Sequence, residues 1–150
     1  LTATFGFALA CSFSAFAPAA HAADVAISAQ NAWVRWLPND LPAAGYVTLK
    51  NDGEKPIDLV GVSSDDYGMV MLHRSLLANN DSRMEMVPSL AVPAHARVTL
   101  APGGYHLMLS QVRRTLKPGD KVPMTFEFAG GGELQVDFSV LPANASGPTD

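Results

Sequence analysis

Residues 121–128 read KVPMTFEF, and their pattern indicates the fold class. Its even-numbered positions are all apolar, namely Val122, Met124, Phe126 and Phe128. Alternation with a period of two predicts a β-strand with one buried face. Three glycines at 130–132 follow, and the next alternating run is residues 134–140. Glycine tolerates the positive φ that tight turns require, so a second strand is expected there.

Outward from this stretch, the rest of the chain shows the same pattern of short apolar runs between turn residues. The predicted strands are 27–36, 45–50, 57–63, 69–76, 84–87, 97–100, 105–112, 121–128 and 134–140. No stretch of ten residues shows helical periodicity. Strands at this spacing predict an all-β, antiparallel Greek-key sandwich or barrel. A single domain is expected over residues 23–142, followed by a flexible polar tail, 143–150.

The first 22 residues differ from the rest, because they contain no Lys, Arg, Asp or Glu and end in Ala20-His21-Ala22. These features predict a secretory signal peptide that is N-terminally incomplete here and is cleaved after Ala22. A transmembrane anchor is a weaker alternative, because Pro18 and the small residues that follow it suit cleavage better. A lipid anchor on Cys11 is also weaker, since Ala8 stands where a lipoprotein signal favours Leu. Cys11 is the chain's one cysteine. The exported domain would then have no thiol, which excludes disulfides, cysteine-based zinc sites and blue copper.

The composition of the chain excludes further classes of function. The chain has 150 residues, of which 48% are hydrophobic and 16% charged, so it is long and apolar enough to fold as one domain. Its net charge of −4 argues against nucleic acid as a partner. No Ser/His/Asp grouping or paired-carboxylate motif stands out, so an enzyme is not expected.

Histidine and methionine share strand faces in two of the predicted strands. One strand places His106 and Met108 together on the face opposite its leucines. Another places Met69, Met71 and His73 together. If these two strands and Met84 converge, two imidazoles and two thioethers form one site. Thioether sulfur is soft and neutral, so this donor set selects Cu(I) over zinc, calcium or magnesium.

The spacing of these residues resembles that of the periplasmic copper chaperones of the PCu(A)C family. His73, Met84, His106 and Met108 form the pattern H-x10-M-x21-H-x-M. The similarity extends to the segments 32–35, 45–51, 102–109 and 116–120, and it spans most of residues 26–140. One departure is the segment 76–82, where family members commonly have a short turn containing Gly. The number of residues between His73 and Met84 is preserved, so the ligand placement is expected to survive, although the local turn is expected to differ.

This resemblance implies a cupredoxin-like domain that binds one Cu(I) per chain through His73, Met84, His106 and Met108. It also implies a monomeric periplasmic carrier that delivers copper to an acceptor such as the copper centre of cytochrome c oxidase, in a periplasmic or membrane-bound oxidase subunit. A Cu(II)-binding or thioredoxin-like partner is a further implication. Three other thioethers, Met69, Met71 and Met86, stay open as alternative ligands, with packing as their more common role. The alternative function is a metal-free secreted binding or adhesion module.

Overall fold

Ten β-strands make up the regular structure of residues 25–148, the part of the chain that the computed structural model describes. They are β1 Ile27–Arg35, β2 Ala43–Asn51, β3 Ile57–Ser63, β4 Tyr67–Ala78, β5 Asp81–Met86, β6 Leu90–Val92, β7 Arg97–Leu100, β8 Tyr105–Val112, β9 Lys121–Phe128 and β10 Glu133–Leu141. Within residues 25–148 there is no helix of the length and apolarity needed to cross a membrane. The predicted signal peptide lies outside the described residues.

The strands form one continuous sheet in the order β5-β4-β8-β2-β1-β10-β9-β3-β6, and β7 pairs with β2. The sheet curls so that β3 and β4 come into contact without forming a paired ladder. The predicted all-β, cupredoxin-like class is confirmed. One pair, β1 with β10, is parallel, whereas the other named pairs are antiparallel. Parallel neighbours need a long connection, which the eight intervening strands supply.

The alternating side chains of β9 form the centre of the core, as predicted. Val122, Met124, Phe126 and Phe128 are each at most 2% exposed. Phe126 packs against Phe138 of β10 with the ring centroids 6.0 Å apart and the ring planes nearly parallel. Burial of these apolar faces is the main favourable contribution to folding.

Two local features depart from the sequence prediction. Strand β6 was not predicted, because three residues are too few to show alternation, yet it pairs with β3 and buries Leu90 and Val92. Strand β5 begins at Asp81 rather than Met84. The turn before it has only two central residues, Asn79 and Asn80, with φ angles of 53° and 64°. Two successive positive φ angles are typical of a type I′ hairpin turn, which asparagine tolerates. This turn sets the register of β5 against β4.

Candidate metal centre

Strands β4 and β8 bring the two histidines together, although they are far apart in sequence. The antiparallel register places His73 directly opposite His106 and Met71 directly opposite Met108. Paired residues project from the same face, with Cβ atoms about 4.5–5.5 Å apart. The imidazole centroids are 5.9 Å apart and the rings meet edge to face, at 81°. Strands β4 and β8 therefore place His73, His106 and Met108 on one face of the sheet.

His106 is held in the orientation that suits a metal ligand. Its side chain is 8% exposed, and Nδ1 lies 3.2 Å from the carbonyl oxygen of Gly104. Because a carbonyl oxygen can only accept, Nδ1 is the donor in this hydrogen bond. In the neutral ring the lone pair is then on Nε2, which is free to bind a metal. A backbone carbonyl that orients the non-coordinating nitrogen is a common feature of metal-binding histidines.

His73 favours the neutral, ligating form. Burial lowers the pKa of His73, and the positive charge that His106 can carry lowers it further. The Nδ1 atom of His73 is buried and has no hydrogen-bond partner among residues 25–148. A buried polar atom without a partner is rare in folded proteins and calls for an explanation, of which a bound ion is one. The two facing imidazoles thus form a pair of nitrogen donors.

Thioether sulfur lies next to both histidines. Met108 is half-buried and stands opposite Ala44 of β2, whose small side chain leaves room beside it. Met71 occupies the corresponding place on β4 and is also half-buried. Met69 is opposite Ser110 and is more exposed. Within residues 25–148, no three His, Cys, Asp or Glu side chains are grouped to hold a metal. The donors gathered on this face are imidazole and thioether, a set that suits Cu(I).

Met84 lies farther from this group than the other three predicted ligands. It stands opposite Ser75 on the edge strand β5, and its side chain is 59% exposed. Met84 and Met108 are two strands apart and four residues out of step. On a flat sheet this offset corresponds to about 16 Å between their Cβ atoms. A single ion can contact both thioethers only if the hairpin formed by β4 and β5 curls over the histidine face.

Met86 rather than Met84 is the residue of β5 that stands directly opposite His73. Its side chain is 68% exposed. The row across the sheet is therefore thioether, imidazole, imidazole, from Met86 through His73 to His106. Sequence alone marked Met86 and Met71 as alternative thioethers. The sequence does not show whether Met86 or Met71 adjoins a histidine, because adjacency depends on the two-residue turn before β5 and on which strands are neighbours.

An aromatic and cationic group lies on β1 and β2, on the same face of the sheet. Trp33 and Tyr46 are both buried, and their ring centroids are 4.6 Å apart. The Arg35 guanidinium carbon lies 5.4 Å from the Trp33 ring and 5.5 Å from the Tyr46 ring. Arg35 also donates a hydrogen bond to the carbonyl of Ala145, which joins the C-terminal segment to β1. The cation stacked on Trp33 is thus an arginine of this chain, as expected for an aromatic that serves packing.

His95, the other histidine among the described residues, lies apart from the site. It is in the loop between β6 and β7, and its side chain is 58% exposed. Its Nε2 is 3.2 Å from a carboxylate oxygen of Glu54. His95 is therefore an exposed loop residue and a suitable control in metal-binding experiments.

Proteins similar to this chain in sequence and fold include copper-bound domains. The family described as LpqE-like, a lipoprotein family, matches residues 27–140. Protein Lxx21020 of Leifsonia xyli subsp. xyli, also named as a lipoprotein, is 31% identical over 140 residues, covering 89% of this chain and 82% of its own. The copper-bound PCuAC domain of PmoF2 superposes with a TM-score of 0.66 at 28% identity, covering 81% of this chain and 98% of that domain. The Cu(I) form of DR1885 from Deinococcus radiodurans gives 0.61 at 33% identity, covering 85% and 84%. The resemblance to the PCu(A)C proteins is confirmed by these matches.

Proposed function

The chain belongs to the LpqE-like family and has the fold of the PCuAC domains, and from this starting point we propose that it binds one Cu(I) ion and delivers it to another protein. The proposed ligands are His73, Met84, His106 and Met108. Copper-bound structures of two similar proteins support the choice of ion. The observation that carries the proposal is the pair of facing histidines, His73 and His106, with a thioether beside them on the same sheet face.

The donor set favours Cu(I) over Cu(II) because none of the four ligands carries charge. Two imidazoles and two thioethers leave the occupied site with a charge of +1, which a half-exposed position tolerates. Thioethers add little to the binding of the harder Cu(II) ion. Arg35 stands in the row of Ala44 and Met108 on the same face of the sheet, and its positive charge penalises a doubly charged ion more than a singly charged one.

Delivery is supported by the exposure of Met84, the proposed ligand on β5. Met84 is 59% exposed and stands on an edge strand, so ligands of an acceptor can approach before the ion has left. Such associative exchange suits a carrier that holds copper and then releases it. We therefore propose a carrier rather than an enzyme, acting on an acceptor such as an oxidase copper centre in a periplasmic or membrane-bound subunit. A Cu(II)-binding or thioredoxin-like protein is proposed as a further partner.

An envelope location is supported by the naming of the family and of Lxx21020 as lipoproteins. Within the envelope we propose the periplasm, reached through the predicted signal segment. The same names strengthen the alternative of a lipid anchor on Cys11. The intact mass of the protein recovered from a host that exports it distinguishes the two, because acylation adds the mass of fatty acids and a C11S variant cannot carry them.

Copper uptake under anaerobic, reducing conditions tests the binding proposal. The purified chain is loaded with excess Cu(I), desalted and analysed for metal and protein. One equivalent per chain is expected for the wild type and for H95A, the matched control on an exposed histidine. H106A and M108A are expected to lose copper while keeping the β-sheet circular dichroism signal. Unchanged stoichiometry in both variants would contradict the assigned site, and a wild type that takes up no copper would favour the metal-free binding module.

A further inference from the structure

The thioether of Met86 is the group on β5 closest in register to a histidine, yet it is not among the four proposed ligands. Met86 stands directly opposite His73, whereas Met84 stands opposite Ser75. Met86 is also the more exposed of the two methionines, at 68% against 59%. An ion that arrives from solvent at this edge of the sheet therefore meets Met86 and His73 before it can reach Met108.

A second thioether faces the same space as Met86. Met71 and Met86 both line an apolar cavity of about 180 Å³ between β3 and the β4–β5 hairpin. The rest of its lining is largely aliphatic, including Val60, Val62 and Val87. Met71 in turn is directly opposite Met108 and two residues from His73 on the same face of β4. The cavity thus has two soft donors in its lining, and both are neighbours of His73 in the sheet.

We propose that Met86 and Met71, together with His73, form a transient Cu(I) position through which the ion passes on its way into and out of the four-ligand site. This inference rests on the proposed function and adds a route to it. Two thioethers and one imidazole are a sufficient neutral set for Cu(I), which accepts low coordination numbers with soft donors. His73 belongs to both positions, so one ion moves between them by ligand exchange. No electron is transferred and no proton has to move.

The position of Met84 explains why such an intermediate is needed. The register offsets Met84 from Met108 by two strands and four residues, about 16 Å on a flat sheet, so the four-ligand site requires the hairpin to curl inward. All six residues of β5 are exposed, and β5 pairs with β4 alone. A strand with little buried surface opens and moves at low free-energy cost. Met86 can bind an ion with His73 before that movement, whereas Met84 can share an ion with Met108 only after it.

A ligand used only in transit has a distinct kinetic signature. Removing it raises the free energy of the intermediate and leaves the loaded and empty states unchanged. Loading and release then slow by the same factor, while the dissociation constant, their ratio, stays the same. A ligand of the final site shows the opposite behaviour, because its loss weakens the loaded state itself.

The experiment compares three leucine variants, each of which removes sulfur and keeps the side-chain size. M86L tests the transit position, M84L the four-ligand site, and M69L is the matched control, an exposed methionine on the same face that does not line the cavity. Release of Cu(I) to a bathocuproine chelator is followed anaerobically by stopped flow at several chelator concentrations. The dissociation constant is measured by equilibrium competition with the same chelator.

We expect M86L to slow release by about tenfold while its dissociation constant stays within about twofold of the wild type. M84L should weaken binding by about tenfold or more, and M69L should match the wild type in both measurements. The inference is overturned if M86L releases copper at the wild-type rate, or if M86L weakens binding as much as M84L does. Failure of the wild type to bind Cu(I) would instead refute the proposed function.

Discussion

Leu107 lies between His106 and Met108 on β8 with its side chain on the opposite face, so replacing it with alanine tests the register on which the metal centre depends. Leu107 is fully buried and stands opposite Gly45 of β2. A Cβ atom placed on Gly45 would lie 3.2 Å from Leu107 Cβ and 3.5 Å from its Cδ1. The leucine therefore fills the space above the glycine, and L107A leaves a hole that Gly45 cannot fill.

The expected loss of stability follows from this packing. Removing three buried carbon groups at about 0.8 kcal/mol each costs about 2.4 kcal/mol of transfer free energy. A cavity that does not collapse adds about 1 to 2 kcal/mol. We expect L107A to lower the free energy of unfolding of the copper-free protein by about 3 to 4 kcal/mol, within the range measured for buried leucines.

Urea denaturation followed by tryptophan fluorescence and by circular dichroism measures this loss. The matched control is L77A on β4, a leucine on the same sheet that is 82% exposed. Its effect should be within about 0.5 kcal/mol. Copper stoichiometry of folded L107A should equal that of the wild type, because the backbone register, and not the leucine side chain, places His106 and Met108.

A small loss of stability in L107A would refute the assignment of Leu107 to the core. If L107A costs less than about 1 kcal/mol, Leu107 is not a core residue. A shift of one residue in the register of β8 moves every side chain to the other face of the sheet. His106 and Met108 would then point into the core, and the metal centre described above would not exist.

Three further predictions concern the fold that supports the site. Burial, with the neighbouring Asp66 charge as a second cause, raises the pKa of Tyr67 to about 12. The unfolded chain ionises near pH 10, so stability should fall by about 2 to 3 kcal/mol between pH 10 and pH 12, and Y67F should lack this part of the decrease in pH-dependent denaturation. Asn51 is 2% exposed and donates hydrogen bonds to two backbone carbonyls. N51D replaces these donors with a carboxylate, so its free energy of unfolding, measured by urea denaturation, should be lower by about 3 kcal/mol or more. Arg114 donates two hydrogen bonds of 2.6 and 2.8 Å to the Asp66 carboxylate. D66N should lower the free energy of unfolding by about 1 kcal/mol in the same assay, and by less than half of that in 1 M salt, because salt screens the ion pair.

Local patterns in the sequence predicted the elements of the site but not their arrangement. Alternation with a period of two is a property of each strand alone, so it placed His106 with Met108 and Met71 with His73 before any tertiary contact was known. Donor chemistry is equally local, and soft neutral donors point to Cu(I) wherever they meet. The same reasoning predicted the buried face of β9.

Which strands lie side by side is decided by the packing of the whole chain. His73 faces His106 because β4 and β8 are neighbours in the sheet. This neighbourhood and the parallel pairing of β1 with β10 depend on how the sheet closes around one core. The register of β5 depends on a two-residue turn at Asn79-Asn80, where a one-residue change would place a different set of side chains on the histidine face.

Met84 shows most clearly which features of the site follow from the sequence and which follow from the tertiary structure. The type and spacing of the four proposed ligands can be read from the sequence alone, because donor chemistry and distance along the chain are properties of the individual residues. Only the tertiary structure decided that Met86 adjoins His73, that Met71 adjoins Met108, and that Met84 stands apart on an exposed edge strand. Neighbours across a sheet come from hydrogen-bond pairing between distant segments, and that pairing is selected by burial of the common core rather than by any short stretch of residues.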